Sequence, residues 1–437
     1  MGHKNHVATA IACMAAVLAF VPRSRGQGEP EPLKLPPPGP VQNKPALTMD
    51  SAIVWALERN PEIAAIRQRH GIAAAGVVIA RAYPFNPVFE SETRHNGGPA
   101  SAGISNRVTP TIVILQELEV RHQGTYRRQG ALATLSRTDW EIAYQELLLA
   151  GRVMSAFNTV LYRRQKLAFQ TDALRFNEQA FKQVSAMQPA GKATAQDVII
   201  ARTEVDTTRV LLGTGRTTLT TAENDLRRQL GEVDLQFDVL GSLDTEPGLY
   251  DIDALTRTAL GQRPDLQARR AAVGEAEAAL KLTDANRYGN PAIGPAYELN
   301  ETRVSMFGGH MNLPLPFLNT HRGDILQRQA ERDHARLEVT QNEVVVRQDI
   351  RAAYDRLQSA AALVQTYQTQ VLPHLREAEV ESERLFASVA TDFFKVVDIR
   401  RKLLAARDTY LDALFELNQA RADLAIAVGD PGLLVHP

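Results

Sequence analysis

The sequence contains a single cysteine in 437 residues, so it can form neither an internal disulfide nor a cysteine-rich metal centre. Aromatic residues make up only 6% and the formal net charge is −1, which leaves no strongly basic face for nucleic acid. Beyond the N-terminus no stretch approaches the roughly 18 consecutive apolar residues of a membrane-crossing helix, and a helical membrane protein is excluded. Catalytic signatures are missing as well. Gly97-Gly98 and Gly308-Gly309 are turn or strand glycines without the strand–loop–helix context that cradles a phosphate. Glu377, Glu379, Glu381 and Glu383 read as a solvated helix face. His95, His122, His310, His321, His334 and His374 lack the i, i+4 spacing of a helical metal site and read as loop or solvated histidines. The expectation is a protein that is no enzyme and holds no metal and no cofactor.

What the chain does have is helix-forming composition and a distinctive N-terminus. Lys4 precedes an apolar run from Val7 to Val21, followed by Ser24-Arg25-Gly26. This reads as a secretory signal peptide over residues 1–26, with export as the consequence. Ala10-Ile11-Ala12-Cys13 loosely resembles a lipid-attachment site, although the apolar run continues past Cys13. Residues 27–46 form a proline-rich, extended linker (Pro30, Pro32, Pro36 to Pro38, Pro40, Pro45).

One phrase then occurs twice. Ala56-Leu57, Pro61, Glu62, Ile63 and Ala65 are echoed by Ala259-Leu260, Pro264, Asp265, Leu266 and Ala268, each 203 residues on. The echo extends to whole units, residues 47–231 and 251–429, joined by a waist linker (232–250) and followed by a tail (430–437). Each unit opens with helix, from Thr48 to about Tyr83 and from Asp251 to Ala285, with Pro61 and Pro264 as breaks. After Asn86-Pro87 and Asn290-Pro291 come hairpins: Val88 to His95 with Thr109 to Leu118, and Ala292 to Leu299 with Arg303 to Phe317. Phe307, Met311, Leu313 and Leu315 face one way and His310 and Asn312 the other, which fits a membrane-barrel strand, although periodicity alone favours an ordinary half-buried hairpin.

Long helices follow. Residues 123–187 hold no proline, and Val153, Val160, Leu167, Leu174 and Phe181 recur every seven residues. The counterpart, Gly323 to Ser388, carries Ile350, Leu357, Val364, Val371, Ala378 and Leu385, with a kink expected at Pro373. Short tips, Gln188 to Thr194 and Ala387 to Thr391, lead into returning helices that end at Gly231 and Gly429 as left-handed caps. Their seams are Val198, Val205, Leu212, Leu219 and Leu226, and Val396, Leu403, Tyr410, Leu417 and Leu424. The lengths suggest that returning and opening helices stack end to end beside the long one. Four strands with open edges cannot stand in a bilayer alone, so several copies would share one barrel.

The Leu47-Thr48, Ala56-Leu57 and Asn60-Pro61 opening, its echo, the run from Gly191 through Asp197-Val198 to Ala201, and the closing stretch from Asp398 to Gly429 together resemble the outer-membrane efflux proteins of the TolC family, over residues 47–429. The segment His310 to Gly323 resembles the subgroup serving heavy-metal cation pumps (cobalt, zinc, cadmium, copper). The resemblance implies a mainly α fold with a small β part. Duplicated long antiparallel coiled-coil helices would form a periplasmic tunnel, and four strands per chain would enter a shared, trimeric, twelve-stranded barrel. It implies a homotrimer in outer-membrane lipid that meets an inner-membrane pump through a periplasmic adaptor (membrane fusion) protein and serves as exit duct. A secreted periplasmic coiled-coil scaffold or adaptor without a pore is the alternative; it accounts for the heptads but not for two hairpins at equivalent places.

In that family, acids just after the glycine turn of the tip form a cation-attracting ring where the tunnel closes. Asp197 lies six residues after Gly191, the family's spacing, whereas in the second tip Ser388 replaces the glycine, Phe394 takes the acid's place, and Asp392 and Asp398 are the nearest acids. Gly191, Asp197, Asp392 and Asp398 are therefore the candidate gate. Alternatively the acids only complement the N-terminal dipole of each returning helix.

Overall fold

The computed structural model describes residues 46–97, 107–191, 193–244, 248, 250–387, 393–430 and 432. The expected signal peptide, nearly all of the linker, Asp392 and most of the tail lie outside them. The described chain runs twice through one element order. The first run is β1 (Ala46–Leu47), α1 (Met49–Arg59), α2 (Pro61–Arg81), β2 (Val88–Asn96), β3 (Arg107–Glu117), α3 (Gln123–Met187) and α4 (Ala195–Leu230). The second is β4 (Asp238–Val239), α5 (Ile252–Gln262), α6 (Pro264–Ala285), β5 (Ala292–Leu299), β6 (Ser305–Asn312), α7 (Arg322–Thr366), a π-helical turn (Tyr367–Val371), α8 (Leu372–Ala387) and α9 (Phe393–Val428).

Local chemistry sets the boundaries. Thr48 caps α1 through a reciprocal box with Ser51. The opening helix breaks at Asn60, which is extended and accepts the Glu62 N–H, so that Pro61 can take the first turn of α2, where a missing N–H costs nothing. Pro264 repeats this at the start of α6. The hairpins fall where the sequence places them, with one correction. β6 ends at Asn312, and Leu313 and Leu315 lie beyond it, because Pro314 and Pro316 cannot donate to a ladder. Both long helices start from a histidine in the left-handed region, His122 (φ 61°) and His321 (φ 52°), each two residues before a glycine. This second echo escaped the sequence reading.

α3 matches its expected span and runs 65 residues, about 100 Å at 1.5 Å per residue. Its counterpart is interrupted. The buried seam of α7 runs through Ile350, Leu357 and Val364 and then passes to Leu372 instead of Val371, which is only half-buried. Five residues in π geometry absorb the extra position, with the Leu372 N–H donating to the Tyr367 carbonyl. The disturbance expected at Pro373 is thus a widened turn just ahead of it.

The helices form an open layer. Toward the strands α2 packs on α3, α3 on α6 and α6 on α7; toward the tips α4 packs on α3, α3 on α9, and α9 on α7 and α8. α4 and α9 end at Gly231 (φ 77°) and Gly429 (φ 85°), as expected of left-handed caps. Each end abuts the join of the opening helices. Asn60 Nδ2 donates to the Gln229 carbonyl at 2.8 Å, and Arg263 NH1 to the Ala427 carbonyl at 3.2 Å. Each returning helix therefore ends against the start of α2 or α6.

The dry core sits at this waist. Phe157, Leu149, Ile350, Leu357, Leu226 and Leu414 are fully enclosed there, and α1, α5 and a two-residue parallel ribbon of β1 with β4 close over them. The stretch read as a linker (232–250) contributes to it: Leu243 is wholly buried and its carbonyl accepts from Asn418 Nδ2 at 2.8 Å. Two residues per strand are too few to show alternation in a sequence, which is why the ribbon was not anticipated.

Candidate functional site

The four long strands form one antiparallel sheet in the order β2-β3-β5-β6, so the two repeats meet at β3 and β5 while β2 and β6 remain edges. The register divides the sheet into two chemically different faces. On one, Phe89 pairs with Ile114, Ile112 with Tyr297, Tyr297 with Phe307, and Ile293 with Met311. On the other, Glu92, Thr111, Glu298 and Met306 form a row across all four strands, and His310 shares that side. Phe307 is 82% exposed and Met311 68%, with no protein covering them. Phe307 and Met311 thus occupy one exposed apolar face, whereas Leu313 and Leu315 are exposed beyond the strand. The sheet is tight at one point: a Cβ on Gly294 would fall 1.6 Å from the Ile114 carbonyl oxygen, so β5 can approach β3 there only as glycine.

At the opposite end of the helices, α3 gives way to a turn in which Gly191 is left-handed (φ 68°). Asp197 stands at the third position of α4 and completes a capping box: its Oδ2 accepts the Thr194 N–H at 2.7 Å while Thr194 Oγ1 accepts the Asp197 N–H at 3.2 Å. Its carboxylate is thus engaged with its own helix end. Asp398 behaves differently. It meets Lys402 at 2.9 Å and Arg401 at 3.8 Å, and the hydrogen bond from Lys402, aided by both cationic charges, holds its carboxyl below the usual aspartate value. Arg401 also reaches Glu204 on α4 at 3.7 Å, a link between the returning helices of the two repeats. These groups rim a groove of about 290 Å³ whose floor includes Phe176, Val184, Ile200 and Leu404. Arg400 lies over the Phe176 ring at 4.8 Å and pairs with Glu379 at 3.0 Å. Gly191 and Asp197 belong to one tip and Asp398 to the other; Asp392 is outside the described residues.

Between waist and tip a polar cluster crosses the repeats. Lys166 Nζ on α3 donates to Tyr162 Oη (2.9 Å) and Asp412 (3.0 Å) and pairs with Asp408 at 3.2 Å, while Tyr162 stacks on Phe415 at 4.6 Å. Burial pulls the Lys166 pKa down, but the bonds to Tyr162, Asp412 and Asp408 outweigh it and hold the group well above its ordinary value. Sequence reading missed this cluster. Its only trace is two i, i+4 pairs, Tyr162 with Lys166 and Asp408 with Asp412, on helices far apart in the chain. His70 was passed over too and contacts Asp139 at 2.6 Å; His321 contacts Asp324 at 2.9 Å within its own helix turn. Among the described residues, no group of three or more His, Cys, Asp or Glu side chains converges as a metal site, and no helix is long and apolar enough to cross a membrane.

Comparison with known proteins agrees with this architecture. The family model described as outer membrane efflux protein matches residues 52–232. The cobalt-zinc-cadmium resistance protein CzcC of Cupriavidus metallidurans is 23% identical over 389 residues, spanning 88% of this chain and 90% of that protein. The cation efflux system protein CusC of Escherichia coli K12 is 26% identical over 324 residues, 69% of this chain and 66% of that protein. Among solved structures, the outer membrane protein VceC of Vibrio cholerae superposes with a TM-score of 0.71 at 15% identity, covering 87% of this chain and 96% of that one. A duplicated helical layer and a four-stranded sheet with two unlike faces thus accompany a first repeat that matches the outer membrane efflux protein model and a whole chain similar in sequence to CzcC and in fold to VceC.

Proposed function

We propose that this protein is the exit duct of a tripartite efflux system, and that three copies close into one channel. The observation that carries this reading is the unfinished sheet. An apolar face suits lipid and a polar face suits a lumen, but β2 and β6 leave backbone groups that a bilayer cannot satisfy. Head-to-tail association joins β6 of one copy to β2 of the next and leaves no edge. The helical layer ends in the same way. Ile72 and Ile79 are exposed on α2, and Leu326 and Leu337 on α7, at its opposite borders. Residues 47–231 and 251–429 act as the two repeats of each copy, and residues 1–26 direct export. The helices cross the periplasm, and their tips meet an adaptor that links the duct to an inner-membrane pump.

The gate lies at the tips, around Gly191, Asp197, Asp392 and Asp398. The pairing of Arg401 with Glu204 supports this placement, because it ties the second returning helix to the first. Heavy-metal cations are the proposed cargo, supported by the names of the two curated relatives. No chemistry is required of the chain; it offers a path.

The test is to express the full chain with its own leader, fractionate the cells, cross-link, and record from planar bilayers. A cross-linked trimer in the outer membrane with discrete conductance is the expected result. Recovery solely as a soluble periplasmic monomer overturns the duct. Loss of the gene should lower tolerance to cobalt, zinc, cadmium or copper; unaltered tolerance to all four, with new sensitivity to drugs, would reassign the cargo.

A further inference from the structure

We infer that the π-turn Tyr367–Val371 is a register switch that lets α8 turn about its own axis while α7 and the whole first repeat stay fixed. From Val371 on, two heptad series lie side by side on this helix, one apolar throughout and the other apolar except at Glu379. An unbroken heptad from Ile350 through Leu357 and Val364 leads to Val371 and Ala378, and a regular α-helix would place those two in the seam. The structure uses the neighbouring series instead, with Leu372 at 5% exposure in the seam and Glu379 one heptad below it. In the sequence both series continue, to Leu385 and Phe386.

Two local preferences oppose each other at this point. Pro373 has no N–H, and its ring would collide with the Thr369 carbonyl in a regular turn, which favours the wide form. The heptad favours the regular form. A π-turn holds one residue more than the α-turn it replaces, so its regularisation turns everything C-terminal by about 100° and shifts it by about 1.5 Å. The part above is anchored by Val364, buried against the waist, and the start of the turn is tied by Gln368 Nε2, which donates to Tyr410 Oη at 2.8 Å. The part below is held by a contact specific to the present register, Glu379 Oε1 with Arg400 Nε at 3.0 Å. In the alternative register Ala378 takes that place and Glu379 turns away from Arg400, the residue that also stacks on Phe176 of α3. α3 has no proline and no widened turn in its 65 residues, so only the second hairpin can switch. Discrete repacking of this kind, between two holes for adjacent side chains, gives two states rather than continuous bending. Resting on the reading of the tips as a gate, the switch would move one of the two tips of each copy and leave the other in place.

The experiment cross-links within one chain, in full-length protein with Cys13→Ser. Two pairs are compared, Glu379→Cys with Arg400→Cys and Ala378→Cys with Arg400→Cys, using a short thiol-specific bifunctional reagent. Both are expected to react, the 378–400 pair in the lower yield because Pro373 disfavours the regular turn. Deleting Thr369, an exposed residue of the turn, removes the extra position but keeps Leu372 and Glu379 on their present face. In that variant the 379–400 product should persist and the 378–400 product should fall at least about tenfold. Persistence of the first product also shows that the variant folds. The inference is overturned if the 378–400 pair gives no product with the turn intact, if it reacts equally after the deletion, or if the 379–400 pair fails to react. Because the readout is intramolecular, it is independent of conductance and cargo. A positive result with a non-conducting protein would remove the duct and leave the switch.

Discussion

The two joins at the waist perform one task with different chemistry. In the first repeat Asn60 reaches the last turn of α4 with a neutral amide, donating to the Gln229 carbonyl and accepting the Glu62 N–H. In the second, Arg263 reaches the equivalent carbonyl of α9 with a guanidinium that also meets Asp265 at 3.0 Å and Asp349 at 2.8 Å. Burial alone would lower the Arg263 pKa, but the two aspartates outweigh it and keep the group charged. The positions correspond, yet one join depends on two neutral bonds and the other on an enclosed ionic network. Duplication preserved where the helices abut, not how the junction is satisfied.

The largest expected effect follows from that contrast. Arg263 has 8% of its side chain exposed and Asp265 16%, so Arg263→Ala leaves that carboxylate and a helix-end carbonyl without their partner, while Asp349, 43% exposed, can turn to water. A loss of about 2–3 kcal/mol is expected, less than the ~3–5 of a fully buried pair because Asp349 is open to water. Asn60→Ala removes neutral bonds and should cost about 1–2 kcal/mol. Denaturant unfolding of the purified protein, with both variants measured side by side, decides the matter. Equal losses would mean that the ionic network adds nothing to the neutral join.

A smaller difference should separate the two glycine caps. Both are left-handed, so alanine costs about 1–2 kcal/mol at either from backbone strain. At Gly429 the nearest atom to an added Cβ is Arg263 Cα at 3.3 Å, whereas at Gly231 it meets Pro61 Cδ at 2.7 Å and Asn60 Cα at 2.8 Å. Gly231→Ala should therefore cost a further ~1–3 kcal/mol of overpacking. The order of melting temperatures, wild type above Gly429→Ala above Gly231→Ala, checks this; the reverse order would show that the first join is the looser one.

How far the chain could be read beforehand depended on the range of the interactions. α3, bounded by Gln123 and Met187, was legible because a heptad without proline leaves few alternatives, and Gly231 and Gly429 were legible as caps because only glycine takes that backbone conformation at little cost. Hairpin positions followed from Asn-Pro punctuation. The end of β6 was overrun because the alternation through Leu313 and Leu315 continues on paper, although Pro314 and Pro316 cannot pair. The seam's passage from Val371 to Leu372 was hidden because both residues suit the hole. The Lys166 cluster was hidden for a different reason: nothing local tells which turn of α9 will face which turn of α3. At the tip, Asp197 follows Gly191 by six residues, and the sequence left open whether it would line a passage or cap a helix; the geometry displays the capping bonds to Thr194. Those bonds should be worth about 1 kcal/mol, so Thr194→Ala should increase amide exchange over the first turn of α4 about fivefold and leave α9 unchanged.

The smallest effect concerns pH and two aspartates of α9 whose surroundings act in opposite directions. Lys402, then Arg401, depress the Asp398 pKa below its ordinary 3.8. A depressed carboxylate contributes stability that is present above 3.8 and lost as the pH falls through the lowered value. Asp423, higher on the same helix, is raised above 3.8 by burial, with Glu416 adding to the shift and Arg356 opposing it. Its contribution is complete below 3.8 and is lost as the pH rises through the raised value. Acidification should therefore loosen α9 at the tip while tightening it at the waist. Limited proteolysis read between about pH 3 and 6 should show tip cleavage increasing toward acid, and Asp398→Asn should remove that dependence because its amide does not titrate. Asp423→Asn should instead flatten the change at the waist and leave the tip as it was. Asp398 is fully exposed, so the tip effect should be small and should shrink further in high salt. If acid sensitivity at the tip survives Asp398→Asn and is indifferent to salt, the pairs around Arg401 do not hold the second hairpin to the first, and the capping chemistry of the first tip would then be the stronger of the two restraints.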